Sequence, residues 1–323
     1  MAVSLKAREV WSKNLETELA IINHLLKSFP VVAIDTEFPG FLRNTPRDAP
    51  EEQRYSDLKH NVDCLKPIQL GFTLSDCNGN IAGVWQFNFC DFDLKGGDLH
   101  VPASVELLKT NGIDLEENKK SGMDSHFFAM KFKQILAANQ RIQWVTFHGL
   151  YDLAYLLKIV TQARLPSSIL EFVTLIGGYF GRVYDTKRMA QCCPSLSGDN
   201  LGLSRLAKLL KVERCGQSHQ AGSDSLVTAL AFLKMKVYKL DERLHEGFLY
   251  GITAKIIKKP WIPSMPPPPP LMQAPPMPRP LPPRIVPLYY RPYGGLVRCN
   301  SYYLRPPMRP SYYPPAAYRV SLL

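Results

Sequence analysis

Asp35 and Glu37 stand two residues apart, directly after the apolar run Val31-Val32-Ala33-Ile34. In an extended chain such residues point to one face, so two carboxylates lie side by side at the edge of a core. That arrangement is unfavourable unless a cation compensates it, and hard oxygen ligands suit Mg²⁺ or Mn²⁺. Taken alone, the pair also fits a strand end opening into solvent. Asp152 starts a helical segment that follows Trp144–Phe147. There an acid equally complements the helix dipole, and His148, four residues earlier, reads as structural. The string His219-Gln220-Ala221-Gly222-Ser223-Asp224 opens the last helical segment. Ser223 reads as its cap and Asp224 as a first-turn acid, while His219 lies in a glycine-bearing loop able to hold an imidazole near a metal. In combination these residues say more. Four carboxylates and one histidine, each at a strand end or helix start, converge on one edge of an α/β sheet, where sites usually form. Four carboxylates can hold two divalent ions about 4 Å apart, which is the arrangement for phosphodiester cleavage.

The elements that must position them follow from periodicity. Val10, Trp11, Leu15, Leu19, Ile22 and Leu26 recur at helical spacing, which predicts an amphipathic helix over residues 8–28, stopped by Pro30. Val31–Ile34 reads as a buried central strand. Ile68–Leu74 and Ile81–Phe89 read as a hairpin turning at Asn78-Gly79, with Pro67 at the first strand position. Helices are predicted over Ser125–Ala138, Tyr151–Val160, Leu201–Leu210 and Ser223–Leu240. Strands are predicted over Trp144–Phe147 and Arg182–Tyr184. The fold class is therefore α/β, a mixed sheet with helices on both faces.

Composition bounds the rest. The chain has 323 residues, 46% of them hydrophobic, which excludes collagen, coiled-coil and wholly disordered classes. A body of about 250 residues can bury about 70–75% of its unfolded surface without a disulfide or metal staple. From Pro260 to Leu323 there are seven Arg, no Lys and no acid, so this segment carries +7 of the net +11. Twenty of the 28 prolines and eight of the 15 tyrosines also lie there. Such a segment cannot sustain helix or sheet hydrogen bonding, which predicts a domain over 1–258 and an extended or disordered basic tail over 259–323. The seven cysteines are scattered without a CxxC, and the N-terminus lacks the apolar core of a signal peptide. Both point to a soluble protein of a reducing compartment.

Longer strings narrow the function. They are Val10-Trp11 with Asn14-Leu15; Asp35-Thr36-Glu37-Phe38-Pro39-Gly40; Asn61-Val62-Asp63 with Leu65-Lys66 and Ile68-Gln69-Leu70-Gly71; and Trp85-Gln86-Phe87-Asn88-Phe89. Tyr151-Asp152 with Tyr155-Leu156-Leu157-Lys158, Tyr184-Asp185, and His219 through Leu226 continue the series. In this order, over residues 10–250, the chain resembles the histidine-containing DEDD exonucleases and, within them, the Caf/Pop-type deadenylases of the Ccr–Not complex. The resemblance implies an RNase H-like fold in which Asp35, Glu37, Asp152 and Asp224 hold two divalent cations, Mg²⁺ or Mn²⁺, with Asp35 bridging. It implies that His219 takes the proton of the attacking water. The activity implied is 3′→5′ removal of poly(A) as 5′-AMP. Poly(A) RNA, a Ccr–Not scaffold subunit and a Ccr-type deadenylase are the implied partners, in cytoplasm and nucleus.

Three positions depart from the family pattern. Gly149-Leu150 stands where Ser-Gly precedes Tyr-Asp, Asn200-Leu201-Gly202-Leu203 replaces a Gly-Gly-Leu segment, and Arg188 replaces a tyrosine. All five metal and base positions are kept, so the departures bear on substrate loops and turnover. A non-catalytic Ccr–Not adaptor and a DNA-directed exonuclease are the competing classes. The intact five-residue set argues against the first, and the deadenylase-specific strings against the second. The 259–323 tail lies outside the resemblance. Its Arg and Tyr residues can contact RNA, its polyproline can dock to proline-recognition modules, and a solvated extension fits equally.

Overall fold

The computed structural model describes residues 6–196, 201–237 and 242–260. The tail expected over 259–323, apart from its first two residues, lies outside the described residues, as does Asn200. Among the described residues six strands form one mixed sheet in the order β1-β4-β3-β2-β5-β6. They are β1 (Arg8–Val10), β2 (Val31–Glu37), β3 (Gln69–Ser75), β4 (Ile81–Asn88), β5 (Gln143–Thr146) and β6 (Arg182–Asp185). β3 pairs antiparallel with both β2 and β4, whereas β1 joins β4, β5 joins β2 and β6 joins β5 in parallel. The expected hairpin is β3–β4, and Gly79 in its turn has a φ of +98° that favours glycine.

Alternation along β2 divides the core in two. Val32 and Ile34 face a cluster built with α1 (Leu15–Leu25), α2 (Glu51–Cys64), α5 (Ser125–Ala138), α6 (Leu150–Thr161) and α7 (Ile169–Tyr179). Val31 and Ala33 face a smaller cluster with α8 (Thr186–Gln191), α9 (Leu203–Leu209) and α10 (Ala221–Val237). The two short helices α3 (Pro102–Thr110) and α4 (Leu115–Ser121) close a satellite cluster around Ile68 and Phe92. None of the described helices is long and apolar enough to cross a membrane.

The helix expected over 8–28 is corrected at its start. Residues 8–10 form β1, whose Glu9 and Val10 pair with Gln86 and Phe87, and α1 begins only at Leu15. Tertiary pairing overrides the helical period here. Arg8 donates twice to the buried Glu18 carboxylate, each bond 2.8 Å, and Trp85 Nε1 donates to the same group at 2.9 Å, which fixes the strand on the sheet edge. The helix ends at Leu25, five residues before Pro30. Pro67 precedes β3 by two residues rather than opening it. α10 starts at Ala221, so Ser223 lies inside the helix and is not its cap. The stretch expected to continue to Leu240 is described as helix only to Val237.

Candidate active site

Asp35 and Glu37 lie inside β2, on the face shared with Val31 and Ala33. Their cross-strand partners on β3 are Gly71 and Gln69. Gly71 leaves room: a Cβ there would stand 1.8 Å from the Ala221 carbonyl oxygen and 2.2 Å from its carbon. The start of α10 therefore rests directly on the sheet beside Asp35, carrying Asp224 and His219 with it. One ligand atom each of Glu37, His219 and Asp224 lie within 4.8 Å of one another. The His219 backbone N–H donates to Asp224 Oδ2 at 3.1 Å. His219 has a left-handed backbone, φ 58°, in the loop that leads into α10.

Asp152 arrives from the opposite side. Thr36 points away from Asp35 and Glu37, toward α6, and its Oγ1 donates to Asp152 Oδ1 at 2.7 Å. Strand alternation thus lets three consecutive residues serve both faces: two carboxylates on one, and on the other a hydroxyl that orients a third. The loop before α6 is pinned by Asp185, the fully buried cap of α8. Its carboxylate accepts from His148 N at 2.9 Å, Gly149 N at 3.2 Å, Lys187 N at 3.0 Å and Tyr250 N at 2.9 Å. The departure at Gly149-Leu150 is accommodated in this loop. Leu150 is buried in the larger core, and Gly149 sits where a Cβ would meet Thr146 Oγ1 at 2.0 Å.

The first turn of α10 is satisfied by amides from the sheet, in place of the Ser223 cap expected from sequence. Gln69 Oε1 accepts from Ala221 N at 3.3 Å and Gln86 Oε1 from Gly222 N at 3.0 Å. Gln86 Nε2 donates to Gln220 Oε1 at 2.8 Å, and Gln69 Nε2 to Asn88 Oδ1 at 2.8 Å. Ser223 Oγ instead donates to the Cys215 carbonyl at 3.0 Å. Buried polar groups demand such partners. Sequence reasoning missed this network, although Gln69, Gln86 and Asn88 within otherwise apolar strands are its signal. It also missed Arg214. The Arg214 Nη1 contacts Asp224 Oδ1 and donates to Ser223 Oγ at 3.2 Å, the one cation paired with the cluster among the described residues.

All five residues singled out by sequence meet at this point. Glu37, His219 and Asp224 form the tight group, while Asp35 and Asp152 flank it within electrostatic reach. Burial, then Asp152, Asp224 and Glu37, hold the Asp35 carboxyl well above the usual carboxylate range. Burial, then Asp224 and Asp152, do the same to Glu37. Asp152 is pushed up to about 7, by burial first and by Asp185 and Asp224 after it, against the Thr36 hydrogen bond. Four hard oxygen donors crowded around a single arginine fit a site for divalent cations.

A pH dependence follows. A carboxyl raised above its unfolded value of 3.8 favours the folded state when protonated. Its contribution is complete below that value and is lost as pH rises through about 7. In EDTA the melting temperature should therefore fall between about pH 5 and pH 8, and Mn²⁺ should restore it more at the upper value. A Mn²⁺ effect equal at both pH values would contradict the electrostatic account.

The sequence matches the CAF1 family ribonuclease over residues 10–141 and 124–232. It is 43% identical over 268 residues to the probable CCR4-associated factor 1 homolog 7 of Arabidopsis thaliana, covering 77% of this chain and 94% of that one. To the poly(A) ribonuclease pop2 of Schizosaccharomyces pombe it is 38% identical over 254 residues, 76% of this chain and 74% of the relative. The solved structure of S. pombe Pop2p in its Mg²⁺- and Mn²⁺-bound form superposes with a TM-score of 0.70, at 38% identity over 76% of this chain and 99% of that chain. Yeast CAF1 crystallised with the NOT1 MIF4G domain gives 0.63, at 28% identity over 76% and 97%. The mixed sheet flanked by helices is the RNase H-like architecture expected of a DEDD exonuclease domain, and its order of strands, carboxylates and histidine spans the matched residues. By sequence and by fold, the chain belongs to the CAF1 ribonuclease family.

Proposed function

We propose that the protein is a 3′→5′ exoribonuclease that shortens poly(A) tails and releases 5′-AMP, as a subunit of a Ccr–Not-type complex. The observation that carries this reading is the convergence of Asp35, Glu37, Asp152, Asp224 and His219 in a member of a ribonuclease family. The four carboxylates are the ligands for two divalent ions, which when bound offset the negative charge building on the phosphate and the departing 3′-oxygen. His219 takes the proton of the attacking water, because histidine is the side chain that accepts a proton near neutrality. The bond from its backbone N–H to Asp224 fixes the His219 backbone where its ring stands beside Glu37. Thr36 orients Asp152, and the Gln69–Gln86 pair holds the start of α10 against the sheet. The ion-bound Pop2p structure supports the cofactor class, and the NOT1 complex of yeast CAF1 supports the scaffold partner.

The test is a 5′-labelled oligo(A) incubated with and without Mg²⁺ or Mn²⁺. A ladder shortening one nucleotide at a time, dependent on the ion and missing for Asp224→Ala, is expected. Circular oligo(A) should survive, since it offers no 3′ end. Equal activity on oligo(dA) would favour a DNA-directed enzyme, and an inert wild type would favour an adaptor.

A further inference from the structure

A cleft of about 610 Å³ is lined by Thr45, Arg47, Arg54, His148, Lys187 and Tyr250 among others. Its cations are not held in ion pairs. Among the described residues, none of Arg47, Arg54 and Lys187 lies within 4.0 Å of a carboxylate oxygen. Arg54 Nη2 donates to the backbone carbonyls of Arg47 at 3.0 Å and Ala49 at 3.2 Å. Lys187 Nζ stands 4.4 Å from the Tyr250 ring centroid and 5.7 Å from that of Phe147. Three such cations in one concavity focus a positive potential. The His148 imidazole registers the same surroundings: enclosure, then Lys187 and Arg54, push its pKa down to about 4.

The cleft also presents rings. His148 and Tyr250 meet edge to face with centroids 4.7 Å apart. Cations interleaved with aromatic faces are what a single strand needs, charges for its phosphates and a platform for its bases. The cleft is joined to the carboxylates by Asp185. This residue pins His148 and Gly149 at the mouth of α6, begins the helix carrying Lys187, and lies close enough to raise the Asp152 carboxyl. A strand whose 3′ end reaches Asp152 thus has this cleft beside it.

We propose that the cleft holds the RNA strand upstream of the 3′ terminus, with Arg47, Arg54 and Lys187 on its phosphates and Tyr250 stacked on a base. This assignment rests on the exoribonuclease reading of the carboxylate site. It is tested by fluorescence anisotropy of labelled A3 and A12 in EDTA, across a range of NaCl, for the wild type and for Arg47→Gln/Lys187→Gln. The wild type should bind A12 well above A3, and the double variant should lose about 10- to 100-fold of that length-dependent gain. Its salt slope for A12 should fall by about 1.4, at about 0.7 for each phosphate no longer neutralised. Arg47 is exposed, so Arg47→Gln alone keeps the measurement open if the double variant misfolds; it should show about half of that slope change. Unchanged A12 affinity and slope in both variants, with a wild type that still trims oligo(A), overturn the cleft and leave the exoribonuclease reading standing. A wild type that neither binds nor trims A12 overturns both.

Discussion

Asp35→Asn is expected to lower the rate of oligo(A) trimming on the order of 10³-fold or more while making the metal-free protein harder to melt. The two effects have one cause. Asp35 is enclosed by Asp152, Asp224 and Glu37, and its ionised form is disfavoured in the fold until a cation arrives. A neutral amide of the same shape removes that repulsion, and with it one ligand. Each kcal/mol recovered should raise the melting temperature of a body this size by about 2–4 °C in EDTA. Adding Mn²⁺ should reverse the ranking, since only the wild type retains the full ligand set. Thermal scans with and without Mn²⁺, beside initial rates, check both arms. Trimming within tenfold of wild type would remove Asp35 from the chemistry. A melting temperature lowered in EDTA would remove the repulsion argument.

The second large effect is predicted for a residue that carries no chemistry. In Gly71→Ala the new Cβ would stand 1.8 Å from the Ala221 oxygen and 2.7 Å from Gly222 N, both backbone atoms that cannot rotate away. α10 must lift from the sheet, stretching the bonds from Ala221 and Gly222 to Gln69 and Gln86. Overpacking of this kind costs about 1–3 kcal/mol and sometimes more, and a displacement near 1 Å at a reacting centre can cost about 10²-fold in rate. Denaturant unfolding should show a loss at the upper end of that range, and initial rates a loss of about 10²-fold. Gly202→Ala is the control: nothing lies within 4 Å of its Cβ position, so its stability should shift by no more than about 0.5 kcal/mol. A Gly71→Ala protein as stable and active as wild type would show that α10 is not seated where its docking against β3 places it.

Much of this arrangement was legible in the chain. The apolar run before Asp35, the hairpin around Asn78-Gly79 and the segment Ser125–Ala138 all carry strong local patterns, and the structure places elements there. The five candidate site residues were legible because their order and neighbours resemble a known family, which no single pattern among them would have established. What local pattern cannot report is a long-range partner. Residues 8–10 look helical by period and are a strand because β4 lies beside them. α2 escapes a reading by period because its sequence, Glu51-Glu52-Gln53-Arg54 onward, is mostly polar and shows its buried face only through Tyr55, Leu58 and Val62. Ser223 resembles a cap because the glutamines that satisfy the helix are more than a hundred residues away.

The seating of α10 on Gly71 has a consequence for how the carboxylate cluster is assembled. Of the five candidate groups, Asp224 resides on α10 and His219 lies two residues ahead of its start, and that helix docks on β2 and β3, strands more than a hundred residues earlier in the chain. A chain without residues 219–237 can still form β2 with Asp35 and Glu37, but it lacks His219 and Asp224, the two groups that stand beside Glu37. The cluster is therefore complete only once α10 has come to rest on Gly71, so the site is among the last parts of the body to assemble.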